Sequence, residues 1–211
     1  MIAVGDWLVF VGAALLMVLT PGPNMIYLVS RSICQGRAGG FISLLGVVAG
    51  FLVHMFAAAA GLAALLLAIP LAYELLKYAG AAYLLWLAWQ ALRPGARSPF
   101  DPQPLSPDSP LRLFFMGFLT NLLNPKIAVF YLSILPQFID TARGSVFAQG
   151  LLLGATQIAV SFVVNLLIVL FAAGISRWFA RRPLWLGVQR YVMGFVLAGL
   201  AVRLAAEQRR T

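Results

Sequence analysis

Apolar residues run along this chain in long blocks separated by short polar segments. Six blocks are long enough to span a bilayer, which takes about 20 residues. They run approximately from Trp7 to Ser30, Phe41 to Ile69, Leu71 to Leu92, Leu111 to Phe138, Val146 to Ile175 and Val188 to Leu204. The pattern predicts an all-α integral membrane protein with six transmembrane helices. Pro70 makes the second and third a tight hairpin. Two blocks are interrupted. Thr20-Pro21-Gly22-Pro23-Asn24 lies within the first, and Asn124-Pro125-Lys126 within the fourth. Proline has no backbone N–H and clashes with the preceding turn, so helices 1 and 4 are expected to break there. A break frees backbone groups at membrane depth, where they are tolerated only against protein or a water-filled cavity. Half-helix ends facing a solute near the midplane are a common way to build a transporter site.

The two breaks also mark an internal repeat. Setting Pro21 on Pro125 gives an offset of 104 that carries Tyr27-Leu28 onto Tyr131-Leu132, Gly40 onto Gly144, Gly46 onto Gly150 and Gly50 onto Gly154 without a gap. The third helix of each half needs a longer offset of 113, pairing Lys77-Tyr78 with Arg190-Tyr191 and Leu84 with Leu197. Three spans per half reverse direction from one half to the next, so the halves are expected as two inverted three-helix repeats. The chain reads as one domain, residues 1–211, with repeat one over 1–93, a Pro-rich linker over 94–110 and repeat two over 111–211. Six prolines in that linker favour an extended connection that only joins the halves.

Composition agrees with the membrane reading: 62% of the 211 residues are hydrophobic and 10% charged, where a soluble domain is nearer half and a quarter. Arg31 is the first positive charge, so no charged segment precedes the first apolar run and a cleaved signal peptide is not expected. The net charge of +9 suits the cytoplasmic face and anionic lipid, not nucleic acid. Nine positive residues (Arg31, Arg37, Arg93, Arg97, Arg112, Arg177, Arg181, Arg182 and Arg190) fall on one side, against five (Lys77, Arg143, Arg203, Arg209 and Arg210) on the other. The nine are placed inside and both termini outside. A single cysteine, Cys34, allows no internal disulfide and no thiolate metal site.

Gly46-x-x-x-Gly50 and Gly150-x-x-x-Gly154 put small residues on one helical face, where helices approach closely in lipid. Ionisable and amide groups inside spans are the functional candidates. Lys126 sits in the second break, either capping freed carbonyls of the preceding half-helix or facing a substrate carboxylate. His54, the lone histidine, is either a packed core residue or a proton carrier. Asn24, Asn121, Asn124, Gln157 and Asn165 can line a polar cavity, and the last two can equally bind helix to helix. Glu74 and Lys77, three apart, are expected to pair near the outer surface. There is no HExxH, GxSxG or P-loop, so no enzyme is indicated and no cofactor is expected.

On these motifs the chain resembles the LysE/RhtB superfamily of bacterial amino-acid exporters. The resemblance is carried by Thr20 to Asn24, Gly36-Arg37-Ala38-Gly39-Gly40, Gly46 to Gly50, Gly61-Leu62 and Leu76 to Leu84. Gly117-Phe118 with Asn121, then Asn124-Pro125-Lys126 and Leu135-Pro136-Gln137-Phe138, extend it over nearly the whole chain. Ala88 stands where many relatives carry glycine, a departure that touches local packing. The resemblance implies a multi-pass efflux transporter of the bacterial inner membrane, driven by the proton motive force. Substrates in the superfamily include threonine, homoserine and its lactone, leucine, lysine and arginine. The branch exporting basic amino acids places an acid near position 50, where this chain has Gly50. A cationic side chain without a counter-charge is costly to bury. Neutral amino acids are therefore the expected cargo, with basic amino acids or metal cations as the alternatives. The substrate-binding candidates are Pro21, Gly22, Pro23, Asn24, Asn121, Asn124, Pro125 and Lys126, with His54 for proton coupling. The expected partners are an amino acid and the lipid bilayer, and the sequence is compatible with a homodimer.

Overall fold

The computed structural model describes residues 2–68 and 107–180, together with isolated positions between 78 and 93 and between 188 and 206. Within these residues every regular element is helical. Helix α1, Val4–Leu19, stops where Pro21 ends the hydrogen-bond ladder, and α2, Pro23–Cys34, resumes with proline at its first turn. Proline is tolerated there because that N–H has no helical partner in any case. The two axes meet at 56°. Gly36, with φ +73, turns the chain sharply into α3, Gly36–Ala68, a left-handed conformation that favours glycine.

Helix α4, Pro110–Leu122, starts on a Ser109 N-cap whose hydroxyl accepts from the Arg112 N–H at 3.4 Å. It stops short of Pro125, which opens α5, Pro125–Val129. The chain then winds through a π-turn, Phe130–Ile134, and a 3₁₀-turn, Leu135–Phe138. The α4 segment and Pro125–Phe138 meet at 47°. Gly144, with φ +109, precedes α6, Val146–Ala180. Both expected breaks are therefore present. The second half of helix 4, expected to continue as α-helix, is wound unevenly instead.

Among the described residues two unbroken segments, Gly36–Gly61 and Val146–Ala172, are long and apolar enough to cross a membrane, and the bent pairs bring the number to four if each is one span. The expected spans Leu71–Leu92 and Val188–Leu204, the Pro70 hairpin, the Glu74–Lys77 pair, the charged C-terminal tail and linker residues 94–106 lie outside the described residues, apart from isolated positions. One pair of those positions is informative: a Cβ on Gly194 would run into the Leu92 side chain, so these two residues are in contact.

Each broken helix lies against the long helix of the other half. Helix α4 packs on α3 through glycines on both surfaces. A Cβ on Gly46 would strike the Phe114 carbonyl, and one on Gly117 would strike the Ser43 carbonyl. Helix α1 packs on α6, where the Trp7 indole donates to Thr156 Oγ1 at 3.1 Å. Helices α3 and α6 touch where Gly150 faces Ala59 and Gly154 faces Met55. Close approach at the small residues is thus observed, although Gly46 and Gly50 face a broken helix while Gly150 and Gly154 face a long one. The core joins both halves through Phe10, Leu28, Leu44, Phe51, Phe130, Tyr131 and Leu153.

Candidate functional site

The site follows from what each proline removes. A helical residue donates its N–H to the carbonyl four positions back. Pro21 has none to give, so Met17 O loses its donor, and Thr20 O lies beyond the helix end. Lys126 Nζ donates to both, at 3.1 Å and 2.7 Å. Pro125 likewise leaves Asn121 O without its helical donor. That oxygen accepts the Asn124 N–H at 2.9 Å and faces His54 Nε2 at 3.3 Å. Each break is therefore served by a nitrogen-bearing side chain from the opposite half: Lys126 of the second half caps α1, and His54 on α3 meets α4. Lys126 does cap freed carbonyls, but those of α1, not of the helix that precedes it in the chain.

Gly22 makes room for this. The offset of 104 places Gly22 opposite Lys126. A Cβ at Gly22 would sit 3.0 Å from Lys126 Nζ and 3.2 Å from its Cε. The lysine is 5% exposed, and among the described residues it forms no ion pair.

The breaks touch at one further point. Asn124 is the N-cap of α5, its Oδ1 accepting from the Lys126 N–H at 3.1 Å, while its Nδ2 donates to Asn24 Oδ1 at 3.1 Å. Both amides are buried, at 1% and 7% exposure for Asn124 and Asn24. Asn121 is fully buried and lies against Gly50, and among the described residues neither its Oδ1 nor its Nδ2 has a hydrogen-bond partner. A buried, unpaired amide costs roughly 1–3 kcal/mol. Pro23 and Pro125 lie at the surface, and Pro21 and Gly22 are partly covered. The structure thus gathers Gly22, Asn24, Asn124 and Lys126 at one locus, with Asn121 and His54 beside it.

Beneath His54 the Tyr131 ring stacks at 5.8 Å with a 19° tilt. Tyr131 lies in the π-turn, a distortion that recurs at functional sites. Its hydroxyl donates to Gln157 Oε1 at 2.6 Å, and Gln157 Nε2 donates to Ser161 Oγ at 2.7 Å. Gln157 therefore binds helix to helix. Among the described residues no three His, Cys, Asp or Glu side chains gather as a metal site would require.

One cluster has no counterpart in the sequence reading. Arg31, counted there as a topology charge, is 6% exposed and paired through Nη1 to Asp108 at the end of the linker. Asp108 also receives Arg112 at 3.0 Å, and its carbonyl accepts from Gln35 Nε2 at 3.0 Å. Nearby, Tyr27 donates from its hydroxyl to Leu113 O at 2.6 Å. The end of the linker therefore does more than join the halves: it ties α2 to α4. The signal available in sequence was an acid, Asp108, immediately before the Ser-Pro start of a span.

A membrane protein whose two broken helices meet at a buried polar locus is the architecture of a solute translocator. The family model described as LysE type translocator matches residues 15–208. The chain belongs to that family. It is 30% identical over 204 residues to the leucine efflux protein of Klebsiella pneumoniae subsp. pneumoniae, covering 96% of each chain. It is 30% identical over 205 residues to that of Enterobacter sp., covering 95% of this chain and 94% of the relative. Over 202 residues it is 30% identical to that of Salmonella typhimurium, with 96% and 95% covered. No solved structure matches the chain.

Proposed function

We propose that this protein is a secondary active exporter of small neutral amino acids, leucine-like in size, across the bacterial inner membrane and driven by the proton motive force. The observation that carries the reading is the meeting of the two breaks at the Asn24–Asn124 contact, with each freed carbonyl held from the opposite half. The packing of each broken helix on the other half's long helix supports two inverted repeats. The first turn of α2 has no side-chain cap, so its N–H groups and partial positive charge suit a carboxylate. The carbonyls ending α1 suit an ammonium group. An amino acid carries both charges a short distance apart and needs no acidic side chain from the protein. The relatives' printed name, together with Gly50 in place of an acid, favours a neutral aliphatic side chain. Pro21, Gly22, Pro23, Asn24, Asn121, Asn124, Pro125 and Lys126 form the substrate locus in this reading, and His54 carries the coupled proton.

The test is efflux from proteoliposomes loaded with labelled leucine, threonine or lysine, with and without an imposed proton gradient, beside a panel of divalent metals. Leucine leaving faster than lysine, and faster still with the gradient, is the expected result. Amino-acid loss no faster than from protein-free vesicles ends the proposal.

A further inference from the structure

We propose that the carbonyl pair of Met17 and Thr20 is a binding site for a primary ammonium group, occupied in the empty protein by the protein's own Lys126. A buried ammonium normally faces a carboxylate. Lys126 instead ends on two backbone oxygens, and among the described residues its third N–H has no partner. The oxygens exist as acceptors only because Pro21 ends the ladder, and Gly22 supplies the space through which the lysine stem reaches them. Lysine's terminal group and the α-ammonium of an amino acid are the same chemical group, so what holds one holds the other.

The consequence for loading rests on the export reading above. As an amino acid enters, its ammonium takes Met17 O and Thr20 O, and Lys126 turns to its carboxylate. Every charge then has a partner before and after, and no bare cation is left in the protein. A ligand lacking the carboxylate displaces Lys126 without giving it a new partner, and binds more weakly for it. Lys126 is thus a placeholder in the empty state and the anion's partner in the loaded one.

The experiment is thermal unfolding of the purified full chain in lipid nanodiscs, wild type against Lys126→Ala, with ethylammonium chloride as probe and tetramethylammonium chloride as control. Removing Lys126 vacates the site. Ethylammonium is therefore expected to raise the melting temperature of Lys126→Ala saturably, by about 4 °C at ten times its dissociation constant, and to leave the wild type unmoved. Tetramethylammonium, which has no N–H to donate, should move neither. Equal shifts in both proteins, or none in Lys126→Ala, overturn the proposal. If Lys126→Ala does not survive purification, recovery by ethylammonium but not tetramethylammonium during extraction supports the site, and recovery by neither or by both overturns it. None of these readouts needs transport. A chain that exports no amino acid yet shows the ethylammonium-specific shift loses the export reading and keeps the site.

Discussion

Asp108→Ala tests whether the end of the linker is part of the folded structure. Arg31 and Asp108 pair with side-chain exposures of 8% and 6%, so water cannot replace the lost partner. Arg31 has few alternatives: Gln35 Oε1 at 3.2 Å, the weak acceptor Met116 Sδ at 3.9 Å, and the Tyr27 ring with its centroid 5.8 Å away. Its Nε is already buried without a partner among the described residues. Breaking such a pair from one side costs about 3–5 kcal/mol, because a charge is left buried alone. Arg112, on the other Asp108 oxygen, is 69% exposed and contributes little. At the lower bound, Asp108→Ala lowers the melting temperature by about 6–12 °C for a chain of this size. The assay is tryptophan-fluorescence melting of the purified protein in nanodiscs, with Arg31→Met/Asp108→Ala alongside. Removing both charges leaves none stranded, so the double variant is expected to melt above Asp108→Ala. A single variant within about 1 °C of wild type, or a double variant that melts lower still, refutes the reasoning.

Three further outcomes follow from the packing and the site. Gly46→Ala places a methyl against the Phe114 backbone, which cannot move without parting α3 from α4, so it should destabilise by about 2 kcal/mol or more and lower the melting temperature; Gly61→Ala, with open space around it, should not. Asn24→Ala and Asn124→Ala each strand a buried amide, and both should cut export severalfold in the proteoliposome assay while circular dichroism shows the helical content retained. His54→Gln can keep a hydrogen bond to Asn121 O but cannot titrate, so export should lose its pH dependence; a Gln variant with the wild-type pH profile would assign the imidazole to packing alone.

What the sequence disclosed and what it withheld divide along a physical line. The breaks were legible because a missing N–H is a property of one residue: Pro21 and Pro125 stop a helix whatever surrounds them. The close-packed faces were legible because glycine spacing is local. Partners were not. Lys126 reaches Met17 and Thr20, more than a hundred positions away, and only folding decides which of the two free helix ends it meets. Arg31 looked like a topology marker because most arginines near a span end are solvated; Asp108 and the start of α4 bury it. The offset of 104 also holds unevenly. Gly40 lies within α3 against Ser32 and Val169, while its counterpart Gly144 turns the chain before α6 at φ +109. The π-turn at Tyr131 had only a partial signature: Pro136 has no N–H for the Leu132 carbonyl, but a missing donor does not by itself say whether the ladder breaks, as at Pro21 and Pro125, or widens into a π-turn.

The central claim is that the two breaks form one site for a zwitterion, and the most direct measurement is binding of leucine against leucinamide to the purified wild-type protein. The amide keeps the ammonium and the side chain but loses the carboxylate charge that α2 and Lys126 would hold. A hydrogen bond to a charged group contributes about 1.5–3 kcal/mol, so leucinamide should bind about tenfold to a hundredfold more weakly than leucine. Shortening the side chain to valine removes one methylene, worth about 0.8 kcal/mol, and should cost only about fourfold. That order, with the carboxylate outweighing the side chain, is the predicted result; leucine and leucinamide binding with equal affinity would contradict it.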